Sequence, residues 1–218
     1  MGSFGNAKSL ALTSPEDAAT DSDLLEIRLD LLEPADGRPW SHLGDLPLLF
    51  TARRGDEGGR GDLSAARRAG MLEEVLDEAS LIDVELASAG EMDALLERVK
   101  ERGIPWVASW HDFEGRSDSF ARIPVMAEQA AAAGAACFKA AVRLHQPADA
   151  ARLAEILTTV DVLPLSLMGM GALAPVSRLL CAQAGSVLNY GYLGDAPTAP
   201  GQWSAGLLKR AIAASERI

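Results

Sequence analysis

One lysine, Lys139, stands at the centre of Ala136-Cys137-Phe138-Lys139-Ala140-Ala141-Val142, a stretch otherwise small or apolar. Gly134 precedes it and Pro147 follows the polar run beyond, which bounds a short strand. An ammonium with such neighbours is poorly solvated, and desolvation favours the neutral amine. A neutral lysine can attack a ketone and form an imine. The alternative is a lysine that snorkels to water at a strand end or pairs with a carboxylate.

Other reactive side chains recur two residues apart, the spacing that places them on one face of a strand. Glu26, Arg28 and Asp30 alternate with Leu25, Ile27, Leu29 and Leu31. Thr51 pairs in this way with Arg53, Asp83 with Glu85, and Ser109 with His111. Charges gathered near the C-terminal ends of several strands mark the active-site end of a parallel barrel. Interior salt bridges would produce the same pattern. Of the three histidines, His111 has the strand-end position suited to acid–base work. His145, roughly 20 Å beyond Lys139 along an extended chain, belongs on the surface, and His42 in a loop. Asp30, Asp83, Glu85, His111 and Asp112 could ligate a metal, but Arg28 and Arg53 are placed to pair with those carboxylates, so no metal is expected.

These residues need elements to hold them. Short apolar segments read as strands over 8–12, 24–31, 46–53, 81–86, 106–111, 137–144, 162–168 and 186–192. Between them the spacing predicts helices over 64–79, 91–102, 123–133, 147–160, 175–184 and 203–214, with weaker ones near 15–19 and 39–43. Ser14 and Ser64 are suited to cap two of them. Strand–helix alternation without a hairpin signal predicts a single α/β domain over 1–218, a (β/α)8 TIM barrel slightly trimmed at the N-terminus. A doubly wound open sheet is the alternative.

Composition limits the partners. With 20 basic and 31 acidic residues the net charge is −11, which repels nucleic acid and anionic lipid. Neither a membrane-spanning run nor an ordered signal sequence is evident, so a cytoplasmic protein is expected. The two cysteines, Cys137 and Cys181, lack disulfide or metal spacing. The glycine-rich run from Arg53 to Gly61 lacks the lysine and hydroxyl of a P-loop and reads as a flexible lid. Met168-Gly169-Met170-Gly171 allows close backbone approach to a ligand, Arg178 follows in the next helix, and Thr198 to Gln202 ends a proline-stiffened loop.

Seven motifs then fall in one order: Glu26-Ile27-Arg28-Leu29-Asp30; Phe50-Thr51-Ala52-Arg53 with Glu57-Gly58-Gly59; Asp83-Val84-Glu85; Ser109-Trp110-His111-Asp112-Phe113; Phe138-Lys139-Ala140; Met168-Gly169 with Ser177-Arg178; and Ala199-Pro200-Gly201-Gln202. Together they resemble type I 3-dehydroquinate dehydratase, the Schiff-base class, over about Leu24 to Gln202. The resemblance implies that Lys139 forms the imine with 3-dehydroquinate, His111 is the general acid–base, and Glu57 orients it. It implies further that Glu26, Arg28 and Arg53 hold the ring hydroxyls and that Arg178, with Thr198 and Gln202, clamps the carboxylate. A cofactor-free homodimer is implied, and Asp83 and Glu85 are read as interior supports. The sequence departs from the family in having Thr198 for the commoner serine, Leu188-Asn189-Tyr190-Gly191 for a Thr-Phe run, and a short N-terminal region over the barrel bottom. A class I aldolase or transaldolase would share the lysine imine, and a non-catalytic sensor could bind the same cyclitol acid.

Overall fold

A computed structural model describes residues 1–33, 36–44, 46–195 and 197–215. The strands are β1 (Gly2–Phe4), β2 (Leu25–Arg28), β3 (Leu48–Thr51), β4 (Leu81–Glu85), β5 (Trp106–Asp112), β6 (Cys137–Arg143), β7 (Leu165–Met170) and β8 (Gly191–Leu193). They pair in parallel, in sequence order from β1 to β7, with β8 on the other side of β1. Val187 N donates to Leu165 O at 2.9 Å, so the segment entering β8 meets β7 and closes the ring. The fold is the expected (β/α)8 barrel.

Around it lie α1 (Ala7–Leu12), α2 (Pro15–Asp21), α3 (Ala65–Glu73), α4 (Asp93–Glu101), α5 (Ser119–Ala132), α6 (Pro147–Thr159), α7 (Ala174–Gln183) and α8 (Ala205–Ala213). Ser14 and Ser64 do cap α2 and α3, accepting from Asp17 N and Arg67 N. Alternation sorts each strand between two surroundings. On β6, Phe138, Ala140 and Val142 join the main core under the helices, while Cys137 joins an apolar barrel floor with Leu49 and Val107, against which Met1, Leu24, Leu81 and Leu188 pack. Lys139 therefore faces the interior, one layer above that floor.

Several boundaries differ from expectation. Residues 8–12 form a helix, α1, because the Asn6 side chain accepts from Ser9 N at 2.8 Å and nucleates a turn; the first strand is Gly2–Phe4. Residues 39–43 form turns, so no α-helix separates β2 from β3 among the described residues, and α1 and α2 both lie between β1 and β2. The second strand ends at Arg28 and gives way to a 3₁₀ turn, Leu29–Leu31, which takes Asp30 out of the strand register. The eighth strand is shorter than predicted, Gly191–Leu193. The glycine-rich run is tied as a turn: Gly59 N donates to Arg54 O, and Arg53 N and Arg60 N donate to Asp30. A Cβ on Gly59 would lie 2.0 Å from Arg53 O, so only glycine fits this turn.

Candidate active site

The barrel register sets Lys139 beside Ser109 on β5 and Ser166 on β7, two small neighbours that leave room for a long side chain. Lys139 is only 3% exposed, but it is not alone. Its Nζ donates to Asp83 Oδ2 at 2.9 Å and lies 3.7 Å from Glu26 Oε1. The isolation inferred from its sequence neighbours thus does not hold. Residues distant in sequence supply carboxylates, and the alternative of a paired lysine describes the empty site.

Asp83 also accepts from Ser109 Oγ at 2.6 Å and pairs with Arg53 Nη1 at 3.0 Å. Glu85 pairs with Arg53 and Arg68 at 3.0 and 2.6 Å. Ser3 and Thr51 donate to Glu26. Three buried acids, Glu26, Asp83 and Glu85, thereby face three buried bases, Arg53, Arg68 and Lys139. Such pairing is what lets charges persist away from water. Burial opposes ionisation of Asp83, yet Arg53 and Lys139 outweigh it and hold the carboxyl far below its usual range. Asp83 and Glu85 both lie buried in the barrel interior. Arg28 spends its fork on Asp30, at 2.8 and 2.6 Å, and Asp112 accepts from Glu114 N, Gly115 N and Arg116 N at the start of the loop after β5. The acids considered as metal ligands are therefore occupied in other ways.

His111 ends β5, and the turn after β3 brings Glu57 to it: Glu57 Oε2 lies 3.0 Å from Nδ1 and accepts the His111 backbone N–H at 2.9 Å. Burial, with the charges of Arg53 and Lys139 adding, holds the imidazole well below its ordinary pKa, so it is neutral near pH 7. Burial likewise pushes Glu57 up to about 8, against the opposing charge of Arg53. His145 and His42 are exposed and contact Glu114 O and Thr13 O.

Arg178 on α7 differs from the other buried bases. It is 3% exposed, its Nη1 donates to Tyr190 O at 2.8 Å, and its Nε has no partner among the described residues. No carboxylate among the described residues pairs with it, and burial lowers its pKa to about 10. In the loop after β8, Gln202 Oε1 accepts from Thr198 N and Oγ1 at 2.9 and 2.7 Å. That leaves the Gln202 amide N–H groups free to donate elsewhere.

All nine residues singled out in the sequence, Glu26, Arg28, Arg53, Glu57, His111, Lys139, Arg178, Thr198 and Gln202, line one cavity at the C-terminal end of the strands. Met168 and Met170, from the stretch expected to approach a ligand, line it too, as do Phe113 and Tyr190, to which the sequence reading assigned no part. Phe113 stacks on His111 at 6.5 Å between ring centroids and approaches Gly58. Its place directly after the His111-Asp112 pair was a usable signal; Tyr190 had none beyond the departure already noted.

The family model described as Type I 3-dehydroquinase matches residues 5–218. The 3-dehydroquinate dehydratase of Methanothrix thermoacetophila is 38% identical over 88% of this chain and 81% of its own length, and that of Bacillus licheniformis is 32% identical with the same coverage. The solved 3-dehydroquinate dehydratase of Geobacillus kaustophilus superposes with a TM-score of 0.85 at 24% identity, covering 97% of this chain and 88% of that one. A type I enzyme from Clostridium difficile, solved with covalently modified comenic acid, gives 0.76 at 26% identity, covering 97% of this chain and 90% of its own. By motif, fold and comparison alike, this chain belongs to the type I 3-dehydroquinase family.

Proposed function

We propose that this barrel dehydrates 3-dehydroquinate to 3-dehydroshikimate through a Schiff base on Lys139. The observation that carries the reading is one cavity holding a buried amine, a neutral imidazole and an unpaired guanidinium. A cyclic keto acid needs these three groups. The curated relatives named 3-dehydroquinate dehydratase point to the same substrate, and the covalent comenic acid adduct of the Clostridium difficile enzyme supports a site capable of covalent chemistry.

In this mechanism His111 takes a proton from the Lys139 ammonium, and the free amine adds to the C3 ketone. The protonated His111 returns that proton to the carbinolamine hydroxyl, which leaves as water to give an iminium and a neutral imidazole, and the iminium draws electrons from the C2–H bond. His111 removes the C2 proton to leave an enamine. The enamine expels the C1 hydroxyl, which His111 protonates as it departs. Hydrolysis of the conjugated iminium restores the amine and consumes the water released earlier, so the net change is loss of one water. Glu57 fixes the imidazole through Nδ1, leaving Nε2 for the substrate. Arg178 receives the carboxylate, joined by the Gln202 amide N–H that the Thr198 hydroxyl orients by donating to Gln202 Oε1, while Glu26 and Arg53 present charge to the ring hydroxyls. Arg28 supports them through its contact with Gly58 O at 3.1 Å.

The test is borohydride reduction in the presence of 3-dehydroquinate, followed by intact-mass measurement and peptide mapping. An adduct on the Lys139 peptide is expected, lost together with turnover in Lys139→Ala. Substantial turnover by Lys139→Ala would remove the mechanism. Formation of the conjugated product, followed by ultraviolet absorbance, separates this reading from an aldolase. The homodimer implied by the resemblance is tested by light scattering after size exclusion.

A further inference from the structure

Tyr190 faces Lys139, yet the mechanism above gives it no part. Its ring centroid lies 4.2 Å from Lys139 Nζ, and the residue is 4% exposed. The hydroxyl is buried and has no hydrogen-bond partner among the described residues. Burial, with Glu26 and Asp83 adding, raises the phenol well above its ordinary pKa and keeps the ring neutral. The main-chain carbonyl of the same residue accepts from Arg178. One residue thus touches both the nucleophile and the carboxylate-binding group.

The remaining surroundings of the Lys139 nitrogen are Asp83 and Glu26, with Arg53, His111 and Cys137 completing its charged and titratable neighbours. An ammonium offers three N–H groups to those carboxylates. An iminium on the same nitrogen keeps one, enough for Asp83, and spreads its charge over the C=N bond. A spread cation is better met by a surface than by a point acceptor, and the negative face of an aromatic ring is such a surface.

We infer that Tyr190 is a positioning residue for the Schiff base: its ring meets the spread charge of an iminium on Lys139 better than the compact charge of the ammonium, and its hydroxyl takes no part. The inference rests on the Schiff-base reading. Its test compares wild type, Tyr190→Phe, Tyr190→Met and Tyr190→Leu for kcat, KM and the rate of borohydride-trapped adduct formation on 3-dehydroquinate. The carbonyl that holds Arg178 is main chain and survives in every variant, so KM serves as the control. Tyr190→Phe should stay within about twofold of wild type, because it keeps the ring and removes only an unpartnered hydroxyl. Tyr190→Met, which fills the space without a ring, should lose about tenfold in kcat with KM changed less than twofold, and Tyr190→Leu should follow it. Wild-type rates in the Met or Leu variant overturn the inference alone. So does a loss in the Phe variant as large as in the Met variant, because the hydroxyl would then be the part that matters. Absence of an adduct in wild type overturns the Schiff-base reading and this inference with it.

Discussion

Replacing Arg178 by methionine should make the empty enzyme more stable while disabling it. The guanidinium is buried, its Nε has no partner among the described residues, and burial lowers its pKa from the ordinary guanidinium range to about 10. A shift of that size corresponds to on the order of 3 kcal/mol, since each unit is worth about 1.4. The sign follows from linkage: a base with a lowered folded pKa carries the full penalty below both values, including at pH 7, and is relieved only as pH rises through about 10. Methionine fills similar space without the charge. Losing the bond to Tyr190 O costs about 1 kcal/mol in return, so Arg178→Met should gain roughly 2 kcal/mol, raising Tm by about 4–8 °C for a domain this size. Activity should move the other way. Removing one partner of a buried charge pair costs about 2–5 kcal/mol, and near 3 kcal/mol kcat/KM falls about 150-fold, mostly through KM. Thermal melts with and without substrate, beside initial rates of ultraviolet absorbance, read both quantities. A variant that melts earlier than wild type, or one whose KM is unchanged while kcat collapses, would refute the assignment of Arg178 as an uncompensated carboxylate receiver.

His111→Ala should slow turnover by about two to four orders of magnitude but still yield some reducible adduct, because Lys139 remains; a complete loss of adduct would give the imidazole a part in forming the imine that nothing else can fill. Because burial keeps the imidazole neutral, the acid limb of kcat/KM belongs below pH 6.5; a limb above 7 contradicts that environment. Glu57, raised to about 8, stabilises the fold through its protonated form fully below its unfolded value of ~4.3, and that contribution fades as pH rises through 8. Glu57→Gln keeps the shape without the titration, so urea denaturation of this variant should show a shallower decline in stability between pH 5 and 8 than wild type. Equal slopes would show that Glu57 does not titrate there.

How much of this was legible in the chain follows from the range of the forces involved. Period-two alternation is local, and it placed Glu26, Arg28, Arg53, Asp83, Glu85, Ser109, His111 and Lys139 on the faces the barrel turns inward. Parallel strands with short connections then leave little choice of topology. Local pattern failed where a side chain decided the backbone: the Asn6 cap turned a predicted strand into α1, and Asp30 left its strand to tie the turn that carries Glu57.

The sequence by itself determined which residues could do chemistry and which end of the strands would gather them. Only the tertiary structure decided the charge state of the site. It supplied Asp83 and Glu26 to the lysine that looked isolated, gave Arg178 no paired carboxylate among the described residues, and brought Glu57 from 54 residues away to the imidazole. It also turned the Tyr190 ring toward the nitrogen. Pairing and desolvation act over a few ångströms in space between residues far apart along the chain, so no window of the sequence contains them.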